Sequence, residues 1–249
     1  MNQGVVQLVI AQMAEVHAQH PGLELALGPP AELLVRGAVG FCIAHGGHRV
    51  EDSYEVELII PADFPDLPPT ARETGGAIPE SFHQFPASKH LCLGAPVEVR
   101  RAFAQHKTLL GFIDTQLIPY LFAYSYKRDH GRLPFGELDH ASAGLFLYYK
   151  DFFGASGIST LRLLKLLADD FAPPLMTCPC GTGMKLKECH GPRLAELRPH
   201  YRPQFFGAEL RSMIEAAEAE GVELPEREVL PRAMWRKRER HRRKKTQGK

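Results

Sequence analysis

The 249 residues are 44% hydrophobic and 24% charged, enough apolar material for one good-sized domain with attachments or for two domains. No run of eighteen apolar residues occurs, which argues against a membrane-spanning helix, and Met1-Asn2-Gln3-Gly4 lacks the basic start and apolar run of a secretory signal. The net charge of +1 hides an asymmetry: residues 232–249 hold ten Lys/Arg against Glu239 alone, leaving residues 1–231 with 20 Lys/Arg and 28 Asp/Glu, a net of −8.

In chain order, residues 3–19 place Val5, Leu8, Val9, Met13 and Val16 at helical spacing, which predicts an amphipathic helix that His20-Pro21-Gly22 stops. Residues 23–27, 33–44 and 54–60 read as strands. The Gly28-Pro29-Pro30 and Gly46-Gly47 steps supply turns, so an antiparallel meander is expected. Cys42 falls inside the apolar run Val39-Gly40-Phe41-Cys42-Ile43-Ala44 and is expected in the core. Residues 61–96 are proline-rich and read as a long loop wrapped on the sheet, the kind of segment that holds function. Helices are expected over 106–126, with Pro119 as a kink or break, and over 143–153, 158–170 and 208–220. Pro173-Pro174 separates this body from a cysteine cluster, and the chain ends in the basic run.

The run Tyr54-x-Val56-x-Leu58-x-Ile60-Pro61-x-x-Phe64-Pro65-x-x-Pro68-Pro69 ends in a proline clasp, and Leu91-Cys92-Leu93-Gly94 follows, with His83 nine residues before the cysteine. This combination resembles the ubiquitin-conjugating (E2) family over about residues 1–155. Ile60 and Phe64 replace that family's usual aromatics, and its Asn before the cysteine is absent: Gln84, Phe85 and Pro86 occupy the region. The segment Leu133-Pro134-Phe135-Gly136-Glu137-Leu138-Asp139-His140 also looks like a motif of bacterial E2-like proteins.

The resemblance implies an α+β fold: a UBC-like domain with a four-stranded antiparallel meander flanked by helices. It implies that Cys92 accepts a ubiquitin-like modifier as a thioester from an E1-like enzyme and passes it to a target amine. Such bacterial systems resemble antiviral defence operons. The attacking species would be the thiolate, so the site must be open and able to stabilise charge. His83 and His90 are the candidate bases or hydrogen-bond donors, and His83, Gln84 or His90 would have to stand in for the Asn. Two other readings stay open. One is a non-catalytic adaptor that binds a modifier and recruits a partner, with Cys92 buried; the other is a Cys-His hydrolase, for which no third group orienting the histidine is identifiable.

Cys178-Pro179-Cys180-Gly181-Thr182-Gly183-Met184-Lys185-Leu186-Lys187-Glu188-Cys189-His190-Gly191 resembles the SEC-C zinc-binding motif, Cys-x-Cys-x8-Cys-His. Three thiolates and one imidazole make a closed tetrahedral site for structural Zn2+, with no open position for a substrate. A fragment this small has little core, so metal binding is expected to drive its folding. Five cysteines, three of them crowded here, make a poor disulfide framework and point to a reducing, cytoplasmic setting. The expected layout is an E2-like domain over 1–155, a helical linker over 156–175, the zinc motif over 176–192, and a helical segment with the basic tail over 193–249. That tail could bind nucleic acid, a ribosome, an anionic membrane or an acidic protein, or stay solvated and partly disordered.

Overall fold

The structure, a computed structural model, describes residues 2–29, 32–134, 141–155 and 157–247. The chain divides into two compact units, Met1–Leu138 and Asp139–Lys249. The segment 135–140, including the Glu137 and His140 pair, lies outside the described residues.

The first unit opens with helix α1 (Gln3–Gln19), whose first turn is capped by Asn2 accepting from the Gly4 amide at 3.0 Å. Val5, Val9, Met13 and Val16 form its buried stripe, the i, i+4 spacing that sets an apolar row on one face. Four strands follow: β1 (Leu23–Gly28), β2 (Glu32–His45), β3 (His48–Ile60) and β4 (Thr70–Glu73). They form an antiparallel sheet in the sequential order of a meander. His45 pairs with His48 across Gly46-Gly47, whose φ angles of 57° and 82° fit a two-residue hairpin turn.

Gly37 is fixed by close approach. Its φ is 133°, and a Cβ there would lie 2.0 Å from the Gly22 carbonyl oxygen. β2 runs past the α1–β1 corner with no room for a side chain.

Alternation along β2 turns Val39 and Phe41 into the core and leaves Cys42 exposed. The expectation of a buried Cys42 is therefore corrected. The run 39–44 is apolar on both faces, so its composition does not say which face the core takes.

Behind the sheet lie α2 (Pro96–Phe103), α3 (Leu109–Phe112), a π-helical turn (Ile113–Leu117) and α4 (Ile118–His130). Pro119 sits in the first turn of α4, directly after the widened turn. A proline lacks an N–H and crowds the carbonyl one turn back, so the ladder is interrupted there. α4 is tied to β3 by a polar cluster: the Tyr54 hydroxyl lies 2.6 Å from Ser125 Oγ and donates to Asp52 at 2.9 Å, and Arg128 donates to Asp52 at 2.8 Å. Burial, followed by the charge of Asp52, pushes the Tyr54 hydroxyl up to about 12.

The second unit contains α5 (Ala141–Phe153), α6 (Ile158–Ala168), α7 (Gly191–Leu197), α8 (Pro203–Ala219), the short α9 (Glu226–Val229) and α10 (Arg232–Gln247). The stretch 156–175, expected as a helical linker with a helix over 158–170, holds α6, which packs inside this unit. Leu163, Leu164 and Leu167 of α6 are buried, and α6 packs against α8 through Phe206, Leu210, Met213 and Ile214. A stripe of that many leucines must find a partner surface, and α8 supplies it. The Tyr149 hydroxyl of α5 donates to Glu209 of α8 at 2.5 Å. Asp169, just past α6, accepts from the Arg232 amide at 2.7 Å and pairs with Lys165 at 3.2 Å, so it caps the start of the basic helix. Among the described residues no helix is long and apolar enough to cross a membrane.

Candidate metal centre and candidate thiol site

The cysteine cluster is built on a small backbone knuckle in the second unit. Thr177 and Lys185 form an isolated antiparallel bridge, and the Cys178 amide donates to the Met184 carbonyl at 2.8 Å. Gly181 and Gly183 take φ angles of 91° and 78°, the left-handed conformation that lets the chain reverse between the two ends of the knuckle. A 3-10 turn over Leu186–Glu188 then delivers Cys189 and His190, and α7 begins at Gly191. Leu186, Leu194 and Leu197 are buried beneath.

This folding brings Cys178, Cys180, Cys189 and His190 together, with one ligand atom of each within 4.8 Å of all the others. Cys178 Sγ and Cys189 Sγ lie 3.3 and 3.1 Å from His190 Nδ1, and Cys180 Sγ lies 3.5 Å from Cys189 Sγ. Sulfur and nitrogen ligands around one tetrahedral metal ion stand about 3.5–3.8 Å apart, from bond lengths of about 2.0–2.3 Å. Three sulfurs and one imidazole nitrogen are the donor types of such an ion, and the separations here, 3.1 to 3.5 Å between the nearest pairs and within 4.8 Å overall, bring them to one point without reproducing that spacing.

The other ring nitrogen, His190 Nε2, lies 3.0 Å from the Phe153 carbonyl oxygen at the end of α5. A proton on Nε2 donated there leaves the Nδ1 lone pair facing the sulfurs, the outer-shell bond that fixes a metal-binding tautomer.

The sulfurs are also surrounded by donors. Burial opposes ionisation of Cys180, but the Thr182 hydroxyl, 3.2 Å away, and the Thr182 amide, joined by the Cys178 and Cys189 side chains, bring this thiol down to about 6. Burial dominates at Cys178 and pushes it up to about 12, although the Cys180 and His190 amides pull against it. Metal ligation by cysteine takes the thiolate, so a divalent cation bound here would release the thiol protons.

Residues 177–192 match the family model of the SEC-C motif. The matched span carries all four clustered ligands. Comparison with curated proteins and with solved structures finds no match to this chain. The SEC-C motif is a small part of the 249 residues and speaks for its own segment alone.

Cys92 stands in the first unit on a loop braced by backbone pairing. Gln84 bridges Leu91, the Leu91 amide donates to the Ala71 carbonyl of β4 at 2.8 Å, and the Cys92 amide donates to the His83 carbonyl at 2.7 Å. His83 has a left-handed backbone, φ 42°, a conformation that costs a non-glycine residue energy unless neighbours impose it. Here they do. The Tyr120 hydroxyl of α4 donates to the Phe82 carbonyl at 2.8 Å and reaches the His83 carbonyl at 3.4 Å, and the Tyr124 hydroxyl donates to the Ala77 carbonyl at 2.8 Å.

Cys92 is partly buried. Burial pushes its thiol above the usual cysteine range, and the Gly94 amide pulls it part of the way back. The Tyr120 phenol is raised as well, by burial first and then by the negative charge of an ionised Cys92. The Tyr120 hydroxyl reaches the His83 carbonyl that also accepts from the Cys92 amide, so it braces the same loop, and no sequence motif marked it.

His83 meets Cys92 through its backbone, with its ring edge-on to Phe82 at a centroid distance of 4.9 Å. His90 has a depressed pKa, from burial first and the nearby Arg72 charge second, with Glu32 opposing. Its Nε2 is buried without a hydrogen-bond partner. Gln84 spends its side-chain amide on the Ile78 and Pro79 carbonyls at 3.3 and 3.5 Å, so it braces the loop.

Proposed function

We propose that the protein is an E2-like carrier in which Cys92 accepts the C-terminal acyl group of a ubiquitin-like modifier from an E1-like enzyme and passes it to a target amine. The observation that carries this reading is the placement of Cys92. A half-open thiol sits on a loop that backbone hydrogen bonds lock to β4 and to His83, directly after a helix-first four-stranded meander. In the transfer the Cys92 sulfur attacks the carbonyl carbon of the incoming thioester. The donor thiolate leaves and takes up the proton that Cys92 gives up. Burial holds that proton on the resting thiol, so a base must receive it. His90, kept neutral by its surroundings, and His83 are the candidates, with backbone amides around Gly94 available for the oxyanion.

The SEC-C motif in this reading holds structural Zn2+ through Cys178, Cys180, Cys189 and His190. Its coordination is closed, so it serves folding and partner recruitment. The need to keep these thiols reduced is what supports a cytoplasmic setting in this reading.

A second reading, a non-catalytic adaptor, draws on one observation: the raised Cys92 pKa, which disfavours the thiolate. Capture of tagged wild-type protein and of a Cys92→Ala variant from the native host, run on non-reducing gels with intact mass, decides between them. A thiol-labile adduct of small-protein size on wild type alone supports the carrier. No adduct on wild type, with Cys92 alkylated only after denaturation, establishes the adaptor.

A further inference from the structure

We propose that the groove between α8 and α10 in the second unit binds the phosphodiester backbone of nucleic acid, independently of chemistry at Cys92. The orientation of α10 is fixed by its inner face. Arg238 donates to Glu218 at 2.8 Å and to Glu226 at 3.1 Å, and Arg242 donates to Glu226 at 2.7 Å. The Arg227 guanidinium lies over the Trp235 ring at 5.8 Å, and the Asp169 side chain caps the first turn. The basic run is therefore a docked helix with two distinct faces.

The other face is exposed and carries Arg236, Lys237, Arg240 and His241. Across from it stands Arg211 of α8. Arg211, Lys237, Arg240 and His241 line an open groove of about 780 Å³ whose single carboxylate is Glu215. Among the described residues, Arg211, Arg236, Lys237 and Arg240 are in no ion pair. Cations that repel one another without a partner mark a surface made for an anion.

The spacing identifies the anion class. Arg236 and Arg240, like Lys237 and His241, are one helical turn apart, about 6 Å along the axis. An evenly repeating polyanion meets such a row in register, and guanidinium forks match phosphate oxygens two at a time. A lipid surface fits poorly: binding there needs an exposed apolar face to enter the bilayer, whereas Met234 and Trp235 are half-buried at the start of α10. An acidic polypeptide offers carboxylates without this regular repeat.

The test is fluorescence anisotropy of the full-length, metal-loaded chain with a labelled 20-nucleotide RNA and a DNA duplex of equal length. A polyglutamate peptide and anionic phosphatidylglycerol vesicles serve as competitors. Four phosphate contacts on a single strand predict a loss of affinity of about 50-fold between 50 and 200 mM salt. A triple variant, Arg211→Ala, Lys237→Ala and Arg240→Ala, is expected to bind at least tenfold more weakly, with its salt dependence reduced to about threefold. The charge-keeping set Arg211→Lys, Lys237→Arg and Arg240→Lys should stay within about threefold of wild type, which separates lost charge from lost folding. Absence of binding to both nucleic acids at 50 mM salt overturns the proposal. So does equal binding by the alanine triple, or displacement by polyglutamate or vesicles at lower concentration than by unlabelled RNA.

Discussion

His190 Nε2 and the Phe153 carbonyl oxygen are 3.0 Å apart, which joins the last ligand of the SEC-C motif to the end of a helix 37 residues upstream. The carbonyls that end a helix have no partner within it, and this one is satisfied by the imidazole. The ring is thereby turned so that Nδ1 meets the sulfurs.

Loss of the metal is therefore expected to be felt beyond the knuckle. One equivalent of zinc per chain should copurify, and a strong chelator should lower the thermal midpoint by several degrees while loosening α5. Cys189→Ala should abolish metal retention. Metal analysis and circular dichroism check this; an unchanged melt after complete metal removal would count against a structural role.

Cys92 should be a slow nucleophile at neutral pH. Its folded pKa lies above the ordinary value, so the alkylation rate by iodoacetamide should keep rising beyond pH 9, where a free thiol levels off. The same shift carries a stability sign. A thiol with a raised folded pKa contributes stability in full below its unfolded pKa, and that contribution is lost as pH rises through the folded value. Alkylation kinetics of wild type against Cys92→Ala from pH 6 to 10 read this directly. A profile centred below pH 8 would contradict the burial argument.

Tyr120→Phe should cost about 1 kcal/mol of stability through the lost bond to the Phe82 carbonyl and speed alkylation of Cys92 as the His83 backbone relaxes. Tyr124→Phe removes a bond of equal length to Ala77 and should cost a similar amount without touching the thiol. Equal alkylation rates in both variants would remove Tyr120 from the site.

Gly37→Ala should be among the most damaging single substitutions in the first unit. A left-handed backbone alone costs a side chain about 1–3 kcal/mol, and the overlap with the Gly22 carbonyl adds to it. Chemical denaturation would show the loss; a change under about 1 kcal/mol would mean the α1–β1 corner gives way easily.

The legible parts of this protein were those where residue type and spacing act over short range. Val5, Val9, Met13 and Val16 announced α1, Gly46-Gly47 announced the hairpin, and the spacing of Cys178, Cys180, Cys189 and His190 brought four ligands together. The first half of β3, His48 to Ser53, was missed because it is polar and is held by pairing with β2. Cys42 was misplaced because both faces of its run are apolar. The leucines of α6 announce a helix over 158–170, but the surface they pack against, on α8 some forty residues later, leaves no local signal in their spacing. Tyr120, the Phe153 carbonyl and the Asp169 cap were beyond reach. Each acts on a residue tens of positions away, and a backbone acceptor leaves no signature in residue type.

Asp169 changes what it means to shorten this chain. A cut before residue 232 would look, on paper, like trimming a charged appendage. It would instead remove the Arg232 amide from a nearly buried carboxylate, lift the Arg232 guanidinium from the Phe171 ring where it sits 4.0 Å above the centroid, and strip Glu218 and Glu226 of Arg238. The last helix is anchored at its root, so deleting it wounds the helical body that carries the metal knuckle.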